Sequence, residues 1–264
     1  MTTLPPATLP TVLAATHRVL RAKLFELRHT PSAWWLVIAT VVYALTLVLL
    51  LLALLDVPSW DEVGLRALLA SAGGSGALMV LFGVVHAAGE YRHRTIVPLT
   101  LAEPRRTPAL AGQLLAYAAA GFFAGLSATT VSVVAAYGWL SVRGEPFDLG
   151  AGAIAALVVG GAVYTALGAV LGGGIGALAR NQVAAAIIVF AYLVMVDPPL
   201  AQAIPAYGKF GATALGMAIS GGVPAPGGPG QQLLTWPLAI AVWAGAAVLF
   251  AVGAAYVTRR REIA

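Results

Sequence analysis

Cysteine is absent from these 264 residues, which excludes a disulfide framework, a thiolate nucleophile and any Cys-ligated metal. Charge is scarce too. Only 9% of the residues are Asp, Glu, Lys or Arg while 60% are hydrophobic, and a chain of this size cannot clothe a soluble domain with so little polar surface. Lysine is reduced to Lys23 and to Lys209, which precedes Phe210, so the GxxxxGK[ST] phosphate cradle is missing. HExxH, GxSxG and closely spaced Asp residues on a span are missing as well, which removes the groups of zinc peptidases, serine hydrolases and lipid-headgroup transferases. His17, His29, His86 and His93 lack the three- or four-residue helical spacing of a ligand pair and read as interfacial side chains. No metal or cofactor is expected on the chain.

What remains is a set of long apolar runs separated by short polar connections. The expected fold is an all-α polytopic membrane protein with six transmembrane helices, at 34–55, 67–88, 109–140, 150–178, 183–197 and 236–257. Arg18, Arg21, Lys23 and Arg28 follow an uncharged start, an order opposite to that of a cleaved signal peptide. Over 9–30, Leu13, Leu20, Leu24 and Leu27 share one helical stripe with Arg18, Glu26 and His29 opposite, which predicts an interfacial helix before the first span. Trp34 and Trp35 anchor that span at the interface.

Two glycine clusters stand out. Gly73, Gly74 and Gly76 in the second span permit a close crossing or a bend. Gly168, Gly172 and Gly176 in the fourth repeat every four residues, a pattern that favours backbone-to-backbone packing over a substrate-lining groove. The connection 198–235 is rich in Pro and Gly, yet encloses an apolar piece from Phe210 to Ile219 that is too short to cross. It reads as a re-entrant element or as a helix on the outer surface.

Basic residues orient the chain. Only Arg66, Arg143 and Lys209 fall on the segments assigned outside, and all other Lys and Arg fall inside, so both termini are expected in the cytoplasm and the chain in the cell's inner (plasma) membrane. A sequence pI of about 9.8 therefore reflects membrane borders, and a nucleic-acid partner is not expected. No Asp, Glu, Lys or Arg lies within the apolar runs proper, so a proton relay or ion-coupling carboxylate at mid-membrane is not expected. If the chain moves anything uphill, another polypeptide binds the nucleotide.

The connection 89–108 carries the most specific pattern. Glu90-Tyr91-Arg92-x-Arg94-Thr95 leads into an apolar run containing Thr100 and Leu101. Pro104-Arg105-Arg106 follows, then an uncharged stretch reaching Gly112-Gln113-Leu114. This resembles the loop after the second span of ABC-2 type ABC transporter permeases, in which a Glu, a basic or polar group, a Thr and a short apolar run precede a Pro and an Arg before the third helix. The likeness extends to the interfacial helix, the six spans and the interrupted element before the last span. Gln113 departs from it, since a basic residue, often a Lys after Gly, is usual there.

The resemblance implies a transmembrane subunit that dimerises with a second copy or a paralogue and docks two cytoplasmic P-loop ATPase subunits, which carry ATP and Mg. It implies an exporter of a hydrophobic or amphipathic drug, antibiotic or lipid. Glu90, Tyr91, Arg92, Arg94, Thr95, Pro104, Arg105 and Arg106 would then contact the ATPase, with Arg180 and Asn181 as a second contact. Thr40, Tyr43, Thr46 and Tyr192 would be polar groups along the substrate path. Arginines facing an acidic partner and the apolar side chains of Ile96, Val97, Leu99 and Leu101 facing a groove suit such docking. Two other classes stay open: a non-transporting scaffold or immunity subunit of the same topology, and a membrane enzyme with an unrecognised site.

Overall fold

The computed structural model describes residues 9–55, 61–92, 106–179, 181–222 and 233–260. The elements are α1 (Leu9–His29), α2 (Pro31–Leu54), α3 (Glu62–Ser71), a 3₁₀ turn (Ala72–Ser75), α4 (Gly76–Arg92), α5 (Arg106–Arg143), α6 (Ala151–Ala179), α7 (Gln182–Ala191), a π turn (Tyr192–Val196), α8 (Asp197–Ala203), α9 (Pro205–Gly208), α10 (Ala212–Ile219) and α11 (Trp236–Arg260). No strand occurs among the described residues. Among the described residues six helical stretches are long and apolar enough to cross a membrane, consistent with an all-α multi-pass membrane protein.

α6 is the hub, packed along α4, α5 and α11. Its three consecutive glycines face three different neighbours because residues advance about 100° around a helix. A Cβ at Gly172 would lie 1.9 Å from the Val80 carbonyl of α4, one at Gly173 would lie 2.7 Å from Leu114 of α5, and one at Gly174 would lie 2.9 Å from Phe250 of α11. The Gly168, Gly172 and Gly176 row is thus the α4 crossing itself, completed from the other side by Gly83, where a Cβ would meet the Ala169 carbonyl at 2.1 Å. Across the α5 crossing, Thr165 Oγ1 donates to the Gly121 carbonyl at 2.8 Å.

The second span begins earlier than expected, because Asp61 caps α3 by accepting the Gly64 N–H at 2.8 Å. Its glycines serve both expected purposes: the 3₁₀ turn carries Gly73 and Gly74, and Gly76 makes room for the Tyr164 ring, which a Cβ would meet at 2.2 Å. The fifth span differs most. Its helix runs on from the expected end at 197 to Ala203, because Pro198 and Pro199 fall in the first turn of α8, where a missing N–H breaks no helical hydrogen bond. Asp197 consequently sits inside the helical stretch instead of ending it.

The apolar piece after it is α10, buried against α3, α6 and α11. Tyr164 Oη donates to the Ala212 carbonyl at 2.8 Å, and its ring stacks on Trp243 at 5.3 Å. α1 packs on α5 with Ala15, Val19, Lys23 and Leu27 buried, so the leucine stripe contributes Leu27, whereas Leu13 and Leu24 are exposed and Leu20 is half-buried. Close approach decides this register, for at Gly112 of α5 a Cβ would lie 2.7 Å from the Thr16 carbonyl.

Candidate functional site

The connection with the motif begins at the end of α4 and ends at the start of α5. Arg94, Thr95, Pro104 and Arg105 lie outside the described residues, as does Arg180. Tyr91 and Arg92 close α4 and Arg106 opens α5, so the structure places these three at the two ends of the connection.

Glu90 is described fully, and it faces inward. It is 7% exposed, and its carboxylate gathers donors from two other helices. Lys23 Nζ of α1 lies 2.5 Å from Oε1, Tyr117 Oη of α5 donates to the same oxygen at 3.1 Å, and Gln113 Nε2 of α5 donates to Oε2. Gln113 and Tyr117 are four residues apart and so share one helical face. Lys23 also pairs with Glu26 at 2.8 Å and lies over the Tyr117 ring, 6.0 Å from its centroid. The carboxylate thereby binds the last turns of α4 and the first turns of α5 to α1.

Both ends of the ion pair are buried, so their charges are sustained by each other and by hydrogen bonds rather than by water. Burial pulls the Lys23 ammonium towards neutrality, but the Glu90 and Glu26 carboxylates outweigh it and raise its pKa above the ordinary 10.5. Lys23 and Glu90 therefore form a charged clamp. His86 sits beside it, with Nδ1 2.9 Å from the Phe82 carbonyl and Nε2 3.5 Å from Ser32 Oγ. No group of three or more His, Asp or Glu residues suited to a metal occurs among the described residues.

Lys23, Gln113 and Tyr117 were not among the residues expected from the sequence. For the Lys23–Glu90 pair two signals exist in retrospect. Glu90 follows Phe82 and His86 at intervals of four on the buried face of α4, and Lys23 stands on the Ala15, Val19, Leu27 stripe of α1.

The other expected residues are dispersed. Asn181 caps α7, accepting the Ala184 N–H at 3.1 Å. Thr40 is buried and donates to its own Leu36 carbonyl at 2.8 Å, whereas Tyr43 and Thr46 on α2 and Tyr192 after α7 are exposed. α2 and α7 each pack on α4 and not substantially on one another, so α4 lies between them.

A second carboxylate is buried at the far end of the fifth span. Asp197 is 1% exposed. Its Oδ1 accepts the Tyr207 hydroxyl at 2.5 Å and the Ala212 N–H at 3.1 Å, and Tyr207 in turn meets Tyr192 Oη at 2.6 Å. Since the single proton of Tyr207 goes to the carboxylate, Tyr192 is the donor in that last contact. Burial together with the hydrogen bonds to Asp197 and Tyr192 pushes the Tyr207 phenol well above its ordinary range, which keeps it a donor. The expectation of no carboxylate within the spans therefore needs correction at Asp197, which the prolines had hidden. Compared with models of protein families the chain matches none, and it matches no curated protein.

Proposed function

We propose that this chain is the transmembrane permease subunit of an ATP-driven ABC exporter of the ABC-2 type, working as a dimer with a second copy or a paralogue in the plasma membrane, with both termini in the cytoplasm. Two P-loop ATPase subunits bind and hydrolyse ATP with Mg, and the exported molecule is hydrophobic or amphipathic. The reading rests on the likeness of 90–114 to the coupling loop of such permeases and on the six spans. The observation that carries it furthest is the clamp: Glu90, Lys23, Gln113 and Tyr117 hold both ends of the arginine-bearing connection to one interfacial helix. A push on that connection then moves α1, α4 and α5 together instead of bending one of them.

In this scheme Glu90 acts as a positioning residue, and Arg92, Arg94, Arg105 and Arg106 make the contact with acidic groups of the ATPase. The substrate path runs beside α4 between α2 and α7, where Tyr43, Thr46 and Tyr192 are exposed. The test is recovery of the tagged chain from native membranes in mild detergent. A P-loop ATPase is expected to accompany the wild-type chain and to be lost from the Arg105→Glu, Arg106→Glu double variant; recovery of the wild type without one contradicts the proposal.

A further inference from the structure

The Asp197 carboxylate is held on one side only. Oδ1 has two donors, while Oδ2 is buried and without a partner among the described residues, and no ion pair reaches Asp197 among them either. A buried carboxylate oxygen without a donor is costly and is filled in most proteins by a proton donor, water or cation.

Beside it lies a cavity of about 160 Å³, walled by Asp197, Gln202, Thr213, Pro198, Ala201 and Gly211. That is roughly ten times what a single water requires, namely about 15 Å³. Gly211 packs against the buried carboxylate, where a Cβ would stand 3.2 Å from Oδ1 and 3.5 Å from Oδ2 and crowd it. The walls combine one anion, the amide of Gln202, the hydroxyl of Thr213 and short apolar stretches. A divalent metal would want six or more oxygens, commonly from several carboxylates, and Asp197 stands in no such cluster among the described residues. An ammonium needs one carboxylate and one or two neutral acceptors, with apolar wall for its first carbons.

We infer that this cavity is a binding site for a primary ammonium group on an aliphatic chain, with Asp197 as its counter-ion and Gln202 and Thr213 as neutral acceptors. Two sources present that group: an amine-bearing amphiphile and the headgroup of an aminophospholipid. The site belongs to this chain alone and does not depend on an ATPase partner, so it stands or falls separately from the proposed transport function.

The test is native mass spectrometry of the full chain in a neutral detergent, titrated with dodecylammonium and, as a control of equal charge and tail without N–H donors, dodecyltrimethylammonium. One saturable dodecylammonium is expected, with the trimethyl control about tenfold weaker. Asp197→Asn and Gly211→Ala are each expected to weaken dodecylammonium binding by about tenfold or more. Gly211→Ala keeps the carboxylate itself and crowds it from one side, so it remains informative if Asp197→Asn does not fold. Parallel titrations with phosphatidylethanolamine and phosphatidylcholine separate the sources. Asp197-dependent preference for the former assigns the site to lipid; Asp197-dependent binding of dodecylammonium alone assigns it to an amine-bearing amphiphile. Unsaturable binding, or equal affinity of the wild type and Gly211→Ala, overturns the site and leaves an adventitious cavity.

Discussion

Lys23 on α1 and Glu90 at the end of α4 are 67 positions apart in sequence and form an ion pair of 2.5 Å with both side chains more than nine-tenths buried. Removing one partner strands the other charge away from water, which costs about 3–5 kcal/mol. Lys23→Met is therefore expected to lower the melting temperature in detergent far more than loss of an exposed lysine would. Adding Glu90→Gln to Lys23→Met is expected to recover part of the loss, since a neutral amide needs no counter-charge. A double variant no more stable than Lys23→Met would show that the pair contributes nothing beyond packing.

The same pair sets a pH dependence. Lys23 has a folded-state pKa raised above 10.5, so its contribution to stability is complete below 10.5 and is lost as the pH rises through the higher folded value. On this account the melting temperature is flat from about pH 7 to 10 and falls only above that range. In Glu90→Gln the largest raising influence is gone while burial still lowers the pKa against Glu26 alone, so the alkaline fall is expected to shrink or vanish. A wild-type curve that declines through the neutral range would assign the dominant titration to another group.

Six spans were legible because apolar runs of bilayer length between short polar turns leave a chain no other way to satisfy its backbone. Partners across the spans were not. The stripe of Leu13, Leu20, Leu24 and Leu27 reads as the membrane-facing side of an interfacial α1, whereas packing against Gly112 selects the small residues Ala15 and Val19 and brings Leu27 and Lys23 inward with them. The Pro198-Pro199 pair reads as an end of the fifth span, although proline is harmless in a first turn, so no sequence pattern marks Asp197 as buried. In the sequence Glu90 is one letter of a motif. That its carboxylate turns inward depends on where α1 lies, which no pattern within 90–114 contains.

Orientation is tested by introduced cysteines, for which the native chain offers a clean background because it has none. Arg94→Cys and Thr95→Cys are expected to resist a membrane-impermeant maleimide in intact cells and to react after permeabilisation. Ser141→Cys, exposed at the far end of α5, is expected to react in intact cells. Labelling of position 94 or 95 from outside would place the arginine-bearing connection away from any cytoplasmic ATPase and end the coupling proposal.

The α4–α6 crossing offers the sharpest contrast between two glycines. At Gly172 a Cβ would overlap the Val80 carbonyl at 1.9 Å, and a backbone oxygen inside a helix cannot rotate aside. Gly172→Ala must separate the two helices, and because Gly168 and Gly176 lie along the same crossing, contacts are lost on both sides of the substitution. Overpacking of this kind costs about 1–3 kcal/mol or more. Gly138 on the exposed face of α5 has nothing within 4 Å of its Cβ position, so Gly138→Ala adds only helix propensity, worth about 0.5–1 kcal/mol in favour of the variant. Melting temperature and monodisperse yield in detergent are expected to fall for Gly172→Ala and to hold or rise for Gly138→Ala. Equal behaviour of the two variants would mean that α4 and α6 are not in backbone contact, and the hub around which the other helices pack would have to be sought elsewhere.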